Sequence, residues 1–344
     1  MLKLPRKTVY LISPDPQKIE GLELAWPQLK IFVNKLTPYL RKAHARGADI
    51  TNLKLPRIKK TSELVQHLLN KKLLKRGHRI LVFKNLPKIE KLAQKHHLEI
   101  LMPEARFVSL LEDKINFVDF CHKHALPLLP TKISELQQVI FTEPIVIQTR
   151  RGHAGESTFF VRSARELQEL KKKAGAWVVK ITPLMKLPTF SLNFCVTREG
   201  FFSTQPFYQI TGDPELNPLP GGTGGIDFGL AQRLLSLGTF ERIFTLVDMV
   251  GNALEKVDYR GIVGVDFLVD DARNRVHLIE LNPRLLSNLG FVTQKQFAKG
   301  EIPLLTIHLL EMLNADLHEY DLPRISGVTR GRFELPHPGA ELIF

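Results

Sequence analysis

Apolar runs and amphipathic stretches alternate along the first hundred residues. "TVYLIS" (8–13) predicts a buried strand, stopped by Pro14, Asp15 and Pro16. "TPYLRKAHARG" has helical spacing and stops at Gly47. "SELVQHLLNKKLLKRG" repeats that pattern, with Ser62 the expected N-cap and Gly77 the stop. "RILVF" (79–83) and "LEILMP" (98–103) predict strands, with the helix "PKIEKLAQKHHL", opened by Pro87, between them. Strands alternating with helices predict a parallel α/β layer over residues 1–105. No G-x-G-x-x-G follows the first strand, so a dinucleotide fingerprint is absent.

Further along, "VSLLEDKINFVDFCHKHALP" (108–127) predicts one continuous helix. From about 144 the pattern becomes strand, glycine loop, strand, then a helix at 164–174 and a strand at 177–181. Two aromatic-rich strands follow near 189–197 and 200–210, and "GGTGG" (221–225) predicts a flexible loop. Residues 228–258 carry apolar side chains at three- and four-residue steps, the signature of a helix. A hairpin at 264–284, a helix at "IPLLTIHLLEML" and a small strand pair in the tail complete the chain.

The 264–284 hairpin, "GVDFLVDDARNRVHLIELNPR", places Asp266, Glu280 and Asn282 in its strands, where Asp and Asn are depleted. Side chains alternate faces along a strand. With a five-residue turn at 271–275, Asp270 faces Val276, and counting back sets Asp266 against Glu280. A four-residue turn slips the register by one and puts the two carboxylates on opposite faces. Carboxylates that face each other need a shared proton or a compensating cation. Together with the Asn282 amide oxygen they suit a hard ion such as Mg²⁺. Arg284, two residues on, offers a fixed guanidinium beside such an ion.

"PIVIQTRRGHAGESTFFVRS" (144–163) is strand, polar loop, strand. Gly152 and Gly155 permit a tight turn and close approach to a ligand. Backbone N–H groups there, with Arg150, Arg151, Ser157 and Thr158, suit phosphate. No helix follows the loop, so it is not a P-loop.

In their order, these pieces resemble the ATP-grasp superfamily of carboxylate–amine and carboxylate–thiol ligases, biotin carboxylase among them. The resemblance rests on "LEDK", "RRGHAGEST", "WVVKIT" and "GVDFLVD…HLIELNPR", and covers residues 108–315. It implies an α/β (α+β) fold: a Rossmann-like pre-ATP-grasp domain at 1–107, then an ATP-grasp domain of two α+β subdomains at 108–320. The implied lid is about 126–182, with a β tail at 321–344. By position, the resemblance puts Lys114, Gln148, Arg151, Gly152, Gly155, Ser157 and Thr158 around ATP phosphates, and Lys180, Thr182 and Leu184 at the adenine. It gives Mg²⁺, or Mn²⁺ in its place, to Asp266, Glu280 and Asn282. Arg284 and Lys114 become catalytic, and Gly221, Gly222, Thr223, Gly224 and Gly225 a mobile loop near the acceptor. Three positions depart from the family pattern. Gln148 stands where a strand Lys is usual, Lys180-Ile181-Thr182 carries no hinge acid, and Gln205 and Gln209 replace a later base.

Charge and composition narrow the partners. Residues 1–105 hold 22 Lys and Arg against 8 Asp and Glu, or +14, while the whole 344-residue chain carries +13. Such a basic segment draws anions, and nucleic-acid binding is one reading of it. Its sparse aromatics, Trp26, Phe32 and Tyr39, do not alternate with the basic residues, which argues against a single-strand platform. Two cysteines, Cys121 and Cys195, exclude a disulfide framework and fit a reducing cytoplasm. No run of 18 apolar residues predicts a membrane span, and the apolar stretch near the N-terminus is too short for a secretory signal. The expected function is an ATP- and Mg²⁺-dependent ligase joining a small-molecule carboxylate to an amine or thiol. ATP binding without ligation is the alternative, and a homodimer is left open.

Overall fold

The computed structural model describes residues 4–152, 157–320, 322, 330–333 and 340–342. The first layer is a parallel sheet of β1 (Val9–Ser13), β2 (Leu29–Val33), β3 (Asp49–Asn52), β4 (Arg79–Val82) and β5 (Glu99–Ile100), in the order β3-β2-β1-β4-β5. Val9, Leu11, Ile12, Ile80, Leu81 and Val82 are fully buried, as expected of central parallel strands covered on both faces. Helices α1 (Pro38–Ala45), α2 (Thr61–Asn70) and α3 (Pro87–His96) connect the later strands. The first crossover holds only two short 3₁₀ turns, so β2 lacked a helical signal before it. β3, "DITN", is too polar and short to read as a strand. Ser62 is not the N-cap of α2: Lys60 occupies that place and Ser62 is buried in the first turn.

The predicted helix at 108–127 is two helices, α4 (Arg106–Leu111) and α5 (Lys114–Lys123). Asp113 breaks it, turning its carboxylate onto the N–H groups of Ile115 and Asn116 at 3.2 Å as the N-cap of α5. The next layer is antiparallel: β6 (Lys132–Glu135), β7 (Ile145–Thr149), β8 (Thr158–Val161) and β9 (Val178–Pro183), in the order β6-β9-β7-β8. One face packs Ile145, Ile147, Val161 and Val179 against Leu167 of α6 (Ala164–Lys173). The other face carries Val146, Gln148, Thr158, Phe160, Lys180 and Thr182.

The largest sheet contains β10 (Thr189–Thr197), β11 (Gly200–Thr204), β12 (Phe207–Thr211), β13 (Thr223–Asp227), β14 (Gly261–Asp270), β15 (Arg275–Asn282), β16 (Arg330–Phe333) and β17 (Ala340–Leu342). Its order is β15-β14-β10-β12-β13-β17, with β11 beside β10 and β16 beside β11. The strand expected at 200–210 is therefore two strands. The tail strands pair with β11 and β13 rather than with each other. The helix expected at 228–258 is α7 (Ala231–Leu234) and α8 (Leu237–Glu255), the latter restarted by its Ser236 cap. α8 buries Ile243, Leu246, Val247, Val250 and Leu254 against Phe190, Leu192, Phe194 and Val196 of β10. On the opposite face, α9 (Leu289–Ala298) and α10 (Leu304–Met312) join the parallel sheet's core through Leu289, Leu304, Leu305, Ile307 and Leu309. His308 of α10 pins this junction: it accepts from the Ile262 N–H at 3.2 Å, and its other ring nitrogen meets the Leu101 carbonyl at 3.0 Å. Among the described residues no helix is long and apolar enough to cross a membrane.

Candidate active site

The β14–β15 hairpin turns more tightly than expected. Asp270 faces Arg275, Val269 faces Val276 and Phe267 faces Leu278, which makes a four-residue turn. That register alone would separate the two carboxylates. A β-bulge at Ile279 inserts one unpaired residue and restores the step, so Asp266 lies opposite Glu280. Two changes of one residue cancel, and the carboxylates face each other.

They open into a cavity of about 790 Å³ between the antiparallel sheets. The hairpin sheet forms the floor with Ser191, Gln209, Asp266, Leu278, Glu280 and Asn282. Gln148, Thr158, Phe160, Lys180 and Thr182 form the roof. Lys18, Phe83 and Lys84, from the turns that follow β1 and β4, also line it, as do the apolar Leu128, Leu184, Met185 and Leu187.

Asp266 is held entirely by neutral donors. Ser191 Oγ donates to it, Gln209 Nε2 reaches the same oxygen at 3.0 Å, and Asn282 Nδ2 reaches the other at 2.9 Å. Burial, and then the charge of Glu280, raise its pKa from 3.8 to about 6; the Ser191 hydrogen bond and Arg284 act against that rise. Glu280 instead has a cation, Lys114 Nζ at 3.8 Å. Lys114 is the first residue of α5, and its backbone N–H donates to the Arg150 carbonyl at 3.0 Å, tying the helix start to the glycine loop. Lys180 is 4% exposed, donates to the Ile279 carbonyl at 3.4 Å and lies 5.4 Å from the centre of the Phe117 ring. Burial, then Lys114, lower its pKa to about 8, with Glu280 and Cys121 opposing.

Arg284 Nη2 donates to Asn282 Oδ1 at 3.0 Å, and its Nε lies 3.4 Å from Glu112 Oε1. Buried Glu112 also binds Lys84, so one carboxylate orients two cations at the cavity edge. Glu112 and Lys84 were not among the expected site residues. The signals were the "LEDK" acid and the lysine ending "RILVFK", neither distinguishable from surface charge without the fold.

Several expected positions lie elsewhere. Arg151 is not in the cavity wall; its side chain is 78% exposed and 3.8 Å from Asp113, which Arg150 binds at 2.6 Å. Gly155 falls outside the described residues. Gly152, Ser157, Thr158, Thr182 and Leu184 line the cavity, and Gln148 Nε2 donates to Thr158 Oγ1 at 3.1 Å. The glycine stretch at 221–225 is in part a strand, since β13 begins at Thr223. Gly221 and Thr223 line the cavity; Gly222 and Gly224 instead pack against Asn217 and Leu216, where a Cβ would overlap those side chains. Gly225 pairs with Ile210. Thr223 Oγ1 donates to Gln209 Oε1 at 2.9 Å, so this strand is joined to Asp266 through Gln209.

Two carboxylates and an amide fit a hard divalent ion that takes its remaining ligands from water and phosphate. The geometry behind that fit is that Asp266 and Glu280 face each other with Asn282 beside them, while among the described residues no cationic side chain forms an ion pair with Asp266. Among the described residues no three His, Cys, Asp or Glu side chains gather into a metal cluster.

This architecture is the fold of solved ATP-grasp structures. The chain superposes on the ADP complex of N5-carboxyaminoimidazole ribonucleotide synthetase with a TM-score of 0.68 and 16% identity, covering 98% of this chain and 82% of that one. Against biotin carboxylase from Campylobacter jejuni, in complex with β-γ-ATP, the TM-score is 0.68 at 14% identity over 97% and 75% of the two chains. The biotin carboxylase domain of Hydrogenobacter thermophilus 2-oxoglutarate carboxylase, bound to MgADP and bicarbonate, matches with a TM-score of 0.66 at 12% identity, over 90% and 70%. No family model and no curated sequence matches the chain. At these identities the likeness defines the fold.

Proposed function

We propose that this protein is an ATP-dependent ligase that activates a carboxylate as an acyl phosphate and transfers the acyl group to an amine or thiol. The observation that carries this reading is the convergence of Asp266, Glu280, Asn282, Lys114 and Arg284 on one cavity. That the matched structures hold ADP, MgADP or an ATP species supports it. The nucleotide takes the cavity with its base against the apolar lining residues and its phosphates over the hairpin. The sheet β6–β9 acts as the lid over it, within residues 126–182.

A carboxylate oxygen of the acid substrate attacks the γ-phosphorus, and ADP leaves. The amine or thiol then attacks the acyl carbon, and phosphate leaves. Mg²⁺ bound here would be held by Asp266, Glu280 and Asn282 and would supply charge neutralisation to the phosphates. The chain contributes position and fixed charge. Lys114 and Arg284 hold the transferred group, and Glu112 with Asn282 fixes the guanidinium plane before substrate arrives.

Thermal unfolding with ATP and Mg²⁺, against ATP with EDTA, tests the site. Trapping with hydroxylamine across a panel of carboxylic acids tests the chemistry, since an acyl phosphate yields a hydroxamate. Absence of stabilisation by Mg²⁺ and ATP removes the reading. A second reading, nucleotide binding without ligation, is favoured by one observation: Gln148 brings no charge to the roof and is tied to Thr158. Stabilisation by the nucleotide with no ADP or hydroxamate over the whole panel selects it.

A further inference from the structure

We propose that Lys180 of β9 is a phosphate-binding residue of this cavity, supplying from the neighbouring strand the charge that Gln148 of β7 lacks. The inference rests on the nucleotide reading of the site and changes the place of Lys180 from the base to the phosphates.

The register carries the argument. Gln148 faces Lys180 on one side and Thr158 on the other, so Lys180, Gln148 and Thr158 form a row across the roof. Cross-strand partners lie about 5 Å apart on one face. A long side chain on β9 therefore reaches the space that one on β7 would reach. Gln148 turns away toward Thr158 and leaves that space to Lys180.

The Lys180 ammonium is buried, yet it is not satisfied. Among the described residues it makes one hydrogen bond, the 3.4 Å contact with the Ile279 carbonyl. An ammonium has three donors, and a buried charge with unused donors is costly unless a ligand completes it. Glu280 does not complete it: among the described residues its ion pair is with Lys114, at 3.8 Å, and it forms none with Lys180. Two ammonium groups thus share one carboxylate, and both line the cavity. The ligand that satisfies both is an anion with several acceptor oxygens, which the phosphate chain of a nucleotide provides. The apolar lining that suits a base is Leu128, Leu184, Met185 and Leu187, none of which offers a side-chain partner to the Lys180 ammonium.

The test is calorimetric titration of the full chain with adenosine, AMP, ADP and ATP in Mg²⁺, comparing wild type, Lys180→Met and the exchange Gln148→Lys/Lys180→Gln. The expected result is a tenfold or greater loss of ADP and ATP affinity in Lys180→Met, with adenosine and AMP within about twofold, the scale of one hydrogen bond to a charged group. The exchange restores most of the loss, because the amine returns to the same row. Equal weakening for all four ligands overturns the proposal in favour of a base contact. No weakening for any of them makes Lys180 a counter-charge to Glu280 only. Wild type that binds none of the four removes the nucleotide reading, and this proposal with it. A measurement on wild type alone guards against a variant that does not fold. Acylation of Lys180 by an amine-reactive ester, read by mass spectrometry, is blocked by tripolyphosphate and ATP and not by adenosine. Protection by adenosine without protection by tripolyphosphate overturns the assignment.

Discussion

Replacing Asp266 by Asn should make the metal-free protein more stable at neutral pH, although it removes a residue of the proposed site. Folding raises this carboxyl from 3.8 to about 6. At about 1.4 kcal/mol for each tenfold change in proton affinity, the folded state at pH 7.5 carries a penalty of about 3 kcal/mol. The folded protein holds this proton more tightly than the unfolded chain, so stability falls as pH rises from 3.8 through 6. Asn removes the charge but keeps one acceptor. Its NH₂ must face either the Ser191 and Gln209 donors or the Asn282 amide, losing one hydrogen bond to a charged group, about 1.5 kcal/mol. The net gain is about 1–2 kcal/mol at pH 7.5, or about 1–3 °C in the unfolding midpoint for a chain of this size. At pH 4.5 the carboxyl is largely protonated in the folded state. The penalty then falls to about 1 kcal/mol, and the order of the two proteins inverts. Thermal scans in EDTA at the two pH values, with and without Mg²⁺ and ATP, check all parts of this. A variant less stable than wild type at pH 7.5 without metal would refute the repulsion argument. A variant that gained as much as wild type from Mg²⁺ and ATP would refute the metal assignment.

Burial lowers His308 from 6.5 to about 4, so the unfolded chain binds this proton more readily and stability is lost as pH falls from 6.5 to 4, by about 3 kcal/mol at most. His308→Gln, which can still accept from Ile262 and donate to Leu101, should flatten that limb of the midpoint-versus-pH curve; an unchanged limb would exclude His308 as its source. Arg284→Ala should lower ADP release by about 10²–10³, and Arg284→Lys should recover only part, because an ammonium cannot span Asn282 and Glu112 together. Initial rates near wild type in the alanine variant would rule out a role in the transfer. A Cβ on Gly290 overlaps the Glu20 backbone carbonyl, so Gly290→Ala should lower the unfolding midpoint by the equivalent of about 1–3 kcal/mol despite its better helix propensity. A raised midpoint would show that α9 does not dock there as described.

What could be read from the chain follows from which features are local. Apolar runs such as "TVYLIS" and "RILVF", and the acidic hairpin, announce themselves within ten residues, and the structure has them as β1, β4 and β14–β15. β2 and β3 escaped because their identity depends on neighbouring strands rather than on their own pattern. The break at Asp113 lay hidden in a helical run, since a capping side chain and a solvated one look alike in sequence. The facing of Asp266 and Glu280 was anticipated from a turn that the protein does not use, and the Ile279 bulge that makes it true has no local signature.

Ile279 therefore bears on both walls of the cavity. As the unpaired residue of the bulge it shifts the end of β15 by one step, which brings Glu280 opposite Asp266. Its carbonyl receives Lys180 from the roof. The two carboxylates then differ in kind. Asp266 is surrounded by the neutral donors Ser191, Gln209 and Asn282, and holds its proton to about pH 6. Glu280 lies beside Lys114, with Lys180 adding to the positive field. A site with two equivalent acids would have to separate their protonation by repulsion alone. Here the floor and the roof distinguish them before any ligand enters. An added cation gains most at Asp266, where no cationic side chain forms an ion pair among the described residues, and an added polyanion gains most at Lys180, where the ammonium has donors to give.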